Sequence, residues 1–202
     1  MMKKIAFLTI ISLILLSCSE DDYEEYVNCV ENNEVFNGFV YKCNTYNTEV
    51  GRINMNSTSE FNTTSCMLEF INSEYSDFSF EEGDTNINIV NIWISVPAEY
   101  YALQEIPEGI YQLGNNDDNP FTLDIVTLFR FGPSAKVIQN PNSDNLLFNG
   151  LVLGQPETYE QAELSVTKLP TGEFEIEYIF EAEGVIFRGH YKGFLSFVDN
   201  WS

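Results

Sequence analysis

From Glu173 to Phe197 the chain alternates in polarity with period two, on two consecutive segments that fit one another. Phe174, Ile176, Tyr178 and Phe180 alternate with Glu173, Glu175, Glu177 and an out-of-pattern Ile179. Phe187, Gly189, Tyr191, Gly193, Leu195 and Phe197 then alternate with Arg188, His190, Lys192 and Ser196. Successive side chains of a strand point to opposite faces, so this pattern calls for half-buried strands and excludes a helix. With Glu183-Gly184 as a two-residue turn, Phe180 faces Phe187, Tyr178 covers Gly189, Ile176 faces Tyr191 and Phe174 covers Gly193. The same register sets Glu177 against His190 and Glu175 against Lys192, so one pairing satisfies both faces. Upstream, Pro170-Thr171-Gly172 reads as a three-residue loop with glycine in the left-handed position, which places Val166 opposite Ile176 and Leu164 opposite Tyr178.

The remainder follows the same grammar. Short runs rich in Val, Ile, Phe and Tyr, bounded by Asn, Gly, Asp and Pro, predict strands at 35–43, 49–55, 65–71, 86–96, 109–113, 121–131, 145–153, 161–169, 173–182 and 185–198. Only Ala98 to Glu105, stopped by Pro107, reads as a helical turn. Within 86–96 the apolar phase slips from Ile87 and Ile89 to Ile92, Ile94 and Val96, the sequence form of a β-bulge. No repeat and no linker-like tract divides the chain, so the expectation is one all-β domain over 35–202: a single antiparallel β-sandwich or β-barrel of about ten strands. An apolar fraction of 44%, with 14% aromatic residues, is incompatible with a disordered acidic chain. The formal charge of −22 repels phosphate backbones, so no nucleic acid is expected as a partner.

The N-terminus carries an address. Lys3 and Lys4 precede the twelve-residue apolar stretch Ile5–Leu16, shorter than the roughly 20 residues that span a bilayer, so residues 1–17 read as a signal peptide entered as a helix. Leu15-Leu16-Ser17-Cys18 resembles the lipobox of bacterial lipoproteins, and the resemblance implies cleavage before Cys18 and lipid attachment to its thiol. Ser19-Glu20-Asp21-Asp22 resembles the lipoprotein export signal of Bacteroidota, which implies display on the outer face of the outer membrane. Residues 18–34 then form an acidic tether. The terminal hairpin, together with Pro107-Glu108-Gly109-Ile110-Tyr111, is similar to a pattern of small Bacteroidota lipoproteins, which implies a β-barrel or sandwich without a specified chemistry. Calycin-like barrels offer a second comparison, although their Gly-x-Trp signature has no counterpart here.

With Cys18 lipidated, three cysteines remain in an oxidising compartment. We expect a Cys29–Cys43 disulfide and a reduced Cys66, which shares the apolar face of its strand with Leu68 and Phe70. The spacing contains no CxxC pair and no HExxH, P-loop or GxGxxG motif, so neither metal nor cofactor is predicted. His190, the one histidine, reads as a solvated cross-strand partner of Glu177, and no catalytic constellation is expected around it. Asn115-Asn116-Asp117-Asp118-Asn119 offers oxygen ligands for calcium but lacks EF-hand spacing, and reads as a polar hairpin tip. Trp93 lies on the opposite strand face from Ile92 and Ile94, placed either to stack on a sugar or to pack beneath a second layer. Two functions remain: a non-catalytic binding module for a glycan, peptide or outer-membrane protein partner, or a barrel enclosing a small apolar ligand.

Overall fold

The computed structural model describes residues 36–55, 62–114, 120–124, 129–139, 146–149, 152–153, 159–182 and 185–199. The strands are β1 (Gly38–Tyr41), β2 (Asn44–Asn47), β3 (Val50–Met55), β4 (Thr63–Ile71), β5 (Ile87–Pro97), β6 (Gly109–Gly114), β7 (Thr122–Asp124), β8 (Phe129–Gln139), β9 (Leu146–Asn149), β10 (Val152–Leu153), β11 (Tyr159–Lys168), β12 (Phe174–Ala182), β13 (Val185–Gly193) and β14 (Leu195–Asp199). The helical turn α1 (Glu99–Leu103) falls inside the predicted 98–105 and ends with Gln104 in the left-handed region, but it is not alone as expected: Ser73–Tyr75 forms a 3₁₀ turn. The predicted signal helix lies outside the described residues.

The chain is all-β, as the alternation requires, and its sheet curls into a half-barrel rather than forming two packed sheets. The hydrogen-bonded order is β14-β3-β4-β5-β7-β6-β11-β12-β13-β1-β2, with β8, β9 and β10 branching from β5. The expectation of about ten strands was low because several predicted strands are interrupted. Lys42 and Cys43, both at positive φ, turn the 35–43 run into the β1–β2 hairpin. The run at 121–131 divides into β7 and β8, and 145–153 into β9 and β10. A wholly antiparallel sheet is also corrected: β14 pairs with β3, and β6 with β7, in parallel.

The predicted strand 185–198 is the most instructive of these. It pairs with β1 as far as His190 and with β12 as far as Gly193, bends at Phe194, and resumes as β14 against β3 at the other end of the strand order. Tyr191 holds this bend. Its hydroxyl donates to the Phe194 carbonyl at 2.7 Å, and its ring lies over Gly51 of β3, where an added Cβ would stand 2.8 Å from the ring. The same hydroxyl fills the space above Gly193, a place the sequence reading assigned to Phe174. Tyr178 covers Gly189 as expected.

The β12–β13 register matches the expectation from Phe174 opposite Gly193 to Ala182 opposite Val185, and β11 matches it from Lys168 to Gln161, with Val166 opposite Ile176, before a shift at Tyr159. Gly172 closes the preceding loop at φ 86°, its amide donating to the Leu169 carbonyl at 2.9 Å. Inside the curl, Phe70, Tyr178, Phe187 and Tyr191 pack with ring centroids 4.8–5.9 Å apart. Each fully buried side chain of this size contributes about 1.5–3 kcal/mol relative to exposure. Tyr111, fully buried, donates to the Pro107 carbonyl at 2.9 Å, which gives the Pro-x-Gly-x-Tyr pattern a structural reason: the ring fills the core while its hydroxyl locks the strand's start.

The phase slip in β5 has a cause other than a bulge. Against β4 the strand keeps one unbroken register from Ile89 to Pro97. Val90, Ile92, Ile94 and Val96 face the main core, whereas Ile87 and Ile89 face a second cluster with Ile71, Ala135 and Val137 on the other side of the sheet. The only register shift lies in the pairing with β8, between Ile87 and Ile89, where β8 holds the additional residue.

Candidate functional site

The second face of β3–β5 is where charge enters the interior. Cross-strand register sets Arg52, Glu69 and Asn91 in one row, and Asn54, Met67 and Trp93 in the next. Arg52 Nε donates to Glu69 Oε2, and the Glu69 side chain is only 6% exposed. A buried carboxylate is tolerated when an opposite charge accompanies it, and removing either partner is far costlier than the pair's net contribution. The Asn54 and Asn91 side-chain oxygens are buried with no hydrogen-bond donor, and Asn54 as a residue is 5% exposed. A buried amide oxygen left in this state costs free energy.

Residues 72–86 run as a strap across this face. Asn72 fastens one end, exchanging bonds with the Asn88 backbone through its amide at 3.2 Å and its side-chain oxygen at 3.0 Å. Gly83 and Asp84 fasten the other to Val137, at 3.0 and 2.9 Å. Between the clasps, the amides of Phe78, Ser79 and Glu81 bond to Tyr75, Asp77 and Asp84 of the strap itself. Phe78 sits at φ 57°, a region costly for a bulky side chain, and its ring stacks 3.9 Å from the Arg52 guanidinium.

The sequence-predicted residues are distributed elsewhere. Cys18, Ser19, Glu20, Asp21, Asp22, Cys29 and Asn115–Asn119 lie outside the described residues. Cys43 is disulfide-bonded, to a cysteine that also lies outside them. Cys66 is reduced and buried in the main core, and burial pushes its thiol pKa well up. His190 departs from expectation. It remains opposite Glu177 in register, yet its Nε2 meets Glu175 Oε1 diagonally at 3.3 Å, and its side chain is 16% exposed rather than solvated. Phe36, with ring centroids 5.9 Å apart, packs beside it. Lys192 reaches the same Glu175 oxygen at 3.5 Å, and the carboxyl is held below its ordinary pKa, chiefly by the His190 hydrogen bond. Asn37 clasps the Lys192 backbone from both sides, accepting at 2.6 Å and donating at 3.0 Å.

Among the described residues no group of three or more His, Cys, Asp or Glu is able to hold a metal ion. Trp93 is partly buried on the face opposite Ile92 and Ile94, as expected, two residues from Asn91. The Arg52–Glu69 pair was missed in the sequence. Its signal was present: Glu69 is the single charge in the run Cys66-Met67-Leu68-Glu69-Phe70-Ile71. No protein-family model, curated protein or solved structure matches this chain.

Proposed function

We propose that the protein is a lipid-anchored lipoprotein of the outer membrane, displayed on the cell surface, whose β domain is a non-catalytic binding module. The observation that carries this reading is the N-terminal series: a basic pair, a short apolar stretch, Leu-Leu-Ser-Cys18, then Ser19-Glu20-Asp21-Asp22. Several acyl chains, at about 0.8 kcal/mol per buried CH₂, hold a domain on a membrane that its own acidity would repel. The binding reading is supported by the second face of β3–β5, which carries two amide oxygens that have no donor, together with Trp93 and an Arg52 guanidinium stacked on Phe78. The pinning of His190 between Glu175 and Phe36 also suits a structural role better than proton transfer. The ring-packed interior of the curl favours this module over a barrel that encloses an apolar ligand.

The test is membrane fractionation with metabolic labelling by radioactive palmitate. The wild type is expected in the membrane fraction and labelled. Cys18→Ala is expected to be unlabelled, and either released or retained with its signal uncut. Equal labelling of both proteins, or membrane retention of a processed Cys18→Ala chain, contradicts the anchor.

A further inference from the structure

We propose that residues 76–82 form a lid, closed by Phe78, over a binding site on the second face of β3–β5 that accepts a neutral polyhydroxyl ligand: a sugar ring. The inference rests on the binding-module reading and names the ligand class for this face. Three observations meet here. Asn54 and Asn91 present buried amide oxygens without donors, so the floor contains hydrogen-bonding capacity that the closed form leaves unused. Phe78, at φ 57°, stacks over Arg52 in the row that also holds Asn91, packs with Phe80 against the Ile71, Ile87 and Ile89 cluster, and is held by a segment whose ends are clasped to the sheet and whose middle bonds to itself. Gly83, at φ 101° and bonded through its amide to the Val137 carbonyl at 3.0 Å, fixes the end of the strap next to that segment. Strained non-glycine backbone over an unsatisfied polar floor is the arrangement in which a second conformation is close in energy.

The chemistry of the floor selects the ligand. Arg52 and Glu69 neutralise each other, so the site offers no net charge to an ion. An ammonium group would meet the Arg52 guanidinium, and an anion would meet amide and carboxylate oxygens. The unused atoms are acceptors, so the ligand must donate without charge, as hydroxyl groups do. Lifting the Phe78 ring from the Arg52 guanidinium, now 3.9 Å away, frees that face of the group, whose N–H groups can then donate to a hydroxyl oxygen of the sugar. Trp93, in the row beside Glu69 and Asn91, adds a second ring at the edge.

The experiment uses the full lipoprotein in a sugar-free detergent, with hydrogen exchange read peptide by peptide. Trp93 fluorescence is followed in a Trp201→Phe background. The probes are maltohexaose, cellohexaose, xylohexaose and mannan. The closed lid predicts that peptides within 76–82 exchange at least about tenfold faster than those of β4 and β5, through local opening. One of the probes should slow that exchange and shift the Trp93 emission. Asn91→Leu should abolish both effects with the β4 and β5 exchange unchanged. Phe78→Gly, which removes the ring and relieves the backbone, should tighten apparent binding about tenfold by raising the open fraction. Exchange of 76–82 only together with the sheet overturns the lid. A folded Phe78→Gly protein that none of the probes protects overturns the sugar site. If the wild type then captures a peptide or an outer-membrane protein, unaffected by Asn91→Leu, the binding-module reading stands without this site; if it captures neither, that reading falls as well.

Discussion

Glu69 shows how much one residue's environment decides. It lies between Leu68 and Phe70 in the chain but points to the opposite face of β4, where its buried carboxylate is made tenable by the Arg52 guanidinium across the strand pair, itself roofed by Phe78. Glu69→Leu leaves Arg52 uncompensated and is expected to cost about 3 kcal/mol in urea unfolding, whereas the double variant Arg52→Met with Glu69→Leu should recover most of that loss. A single and a double variant that lose equally would show that the ion pair is incidental. Lys168 and Glu105, 2.8 Å apart but both more than a third exposed, provide the contrast: their disruption should cost under about 1 kcal/mol. Cys66, buried with its pKa raised, should resist iodoacetamide at pH 8 in the native protein and react once urea unfolds it. Labelling at equal rates in both states would place Cys66 at the surface.

Glu175 makes stability depend on pH. Its carboxyl is held below the ordinary 4.5, first by the His190 hydrogen bond and then by Lys192. The folded state therefore releases this proton more readily than the unfolded chain does. The stabilisation is complete above about pH 4.5 and fades as pH falls through the lower folded value. Glu175→Gln should flatten the acid limb of the stability curve below that pH and leave its neutral region with a small, pH-independent change. An unchanged acid limb would remove Glu175 from the account.

At the scale of elements, the terminal hairpin was legible because its information is local. Alternation on two adjacent segments, two glycines opposite large rings, and charges that pair on the reverse face admit one register. Phe180→Ala should accordingly cost about 3–5 kcal/mol, since Phe180 is 1% exposed against Phe187. Gly189→Ala should be destabilising by about 1–3 kcal/mol, because the new methyl would stand 2.2 Å from the Tyr178 ring. A neutral Gly189→Ala would contradict the ring's placement. Elsewhere the pattern was silent on direction. Alternation is identical for parallel and antiparallel neighbours, so the pairings of β14 with β3 and of β6 with β7 left no trace. The slip in β5 was visible but ambiguous: Ile87 and Ile89 look displaced only if a strand is assumed to bury a single face. The candidate site escaped for a related reason. It depends on the alignment of β3, β4 and β5, and neither of the two connections that set this alignment carries a turn signature as specific as Pro-Thr-Gly.

At the scale of the whole molecule, one curled sheet with a filled interior carries two unmet amide oxygens, of Asn54 and Asn91, on its second face, the face that the strap crosses. The site is thus carried on the outside of the curl. Such an arrangement suits a module that meets its ligand from solution rather than one that swallows it. The charge of −22 fits the same proposal, since an acidic domain is repelled by an anionic surface and a lipid at Cys18 would be what keeps it there. Glu20 to Glu25, rich in like charges and poor in apolar surface, should stay hydrated between anchor and domain. In the proposed outer-membrane location, the side on which the domain is displayed decides what ligands it meets. Protease added to intact cells measures this directly. The account predicts that the wild-type domain is degraded with the outer membrane intact, and that replacing Glu20, Asp21 and Asp22 by Ala protects it. A wild-type domain that resists protease until the outer membrane is broken faces the periplasm, and contradicts surface display.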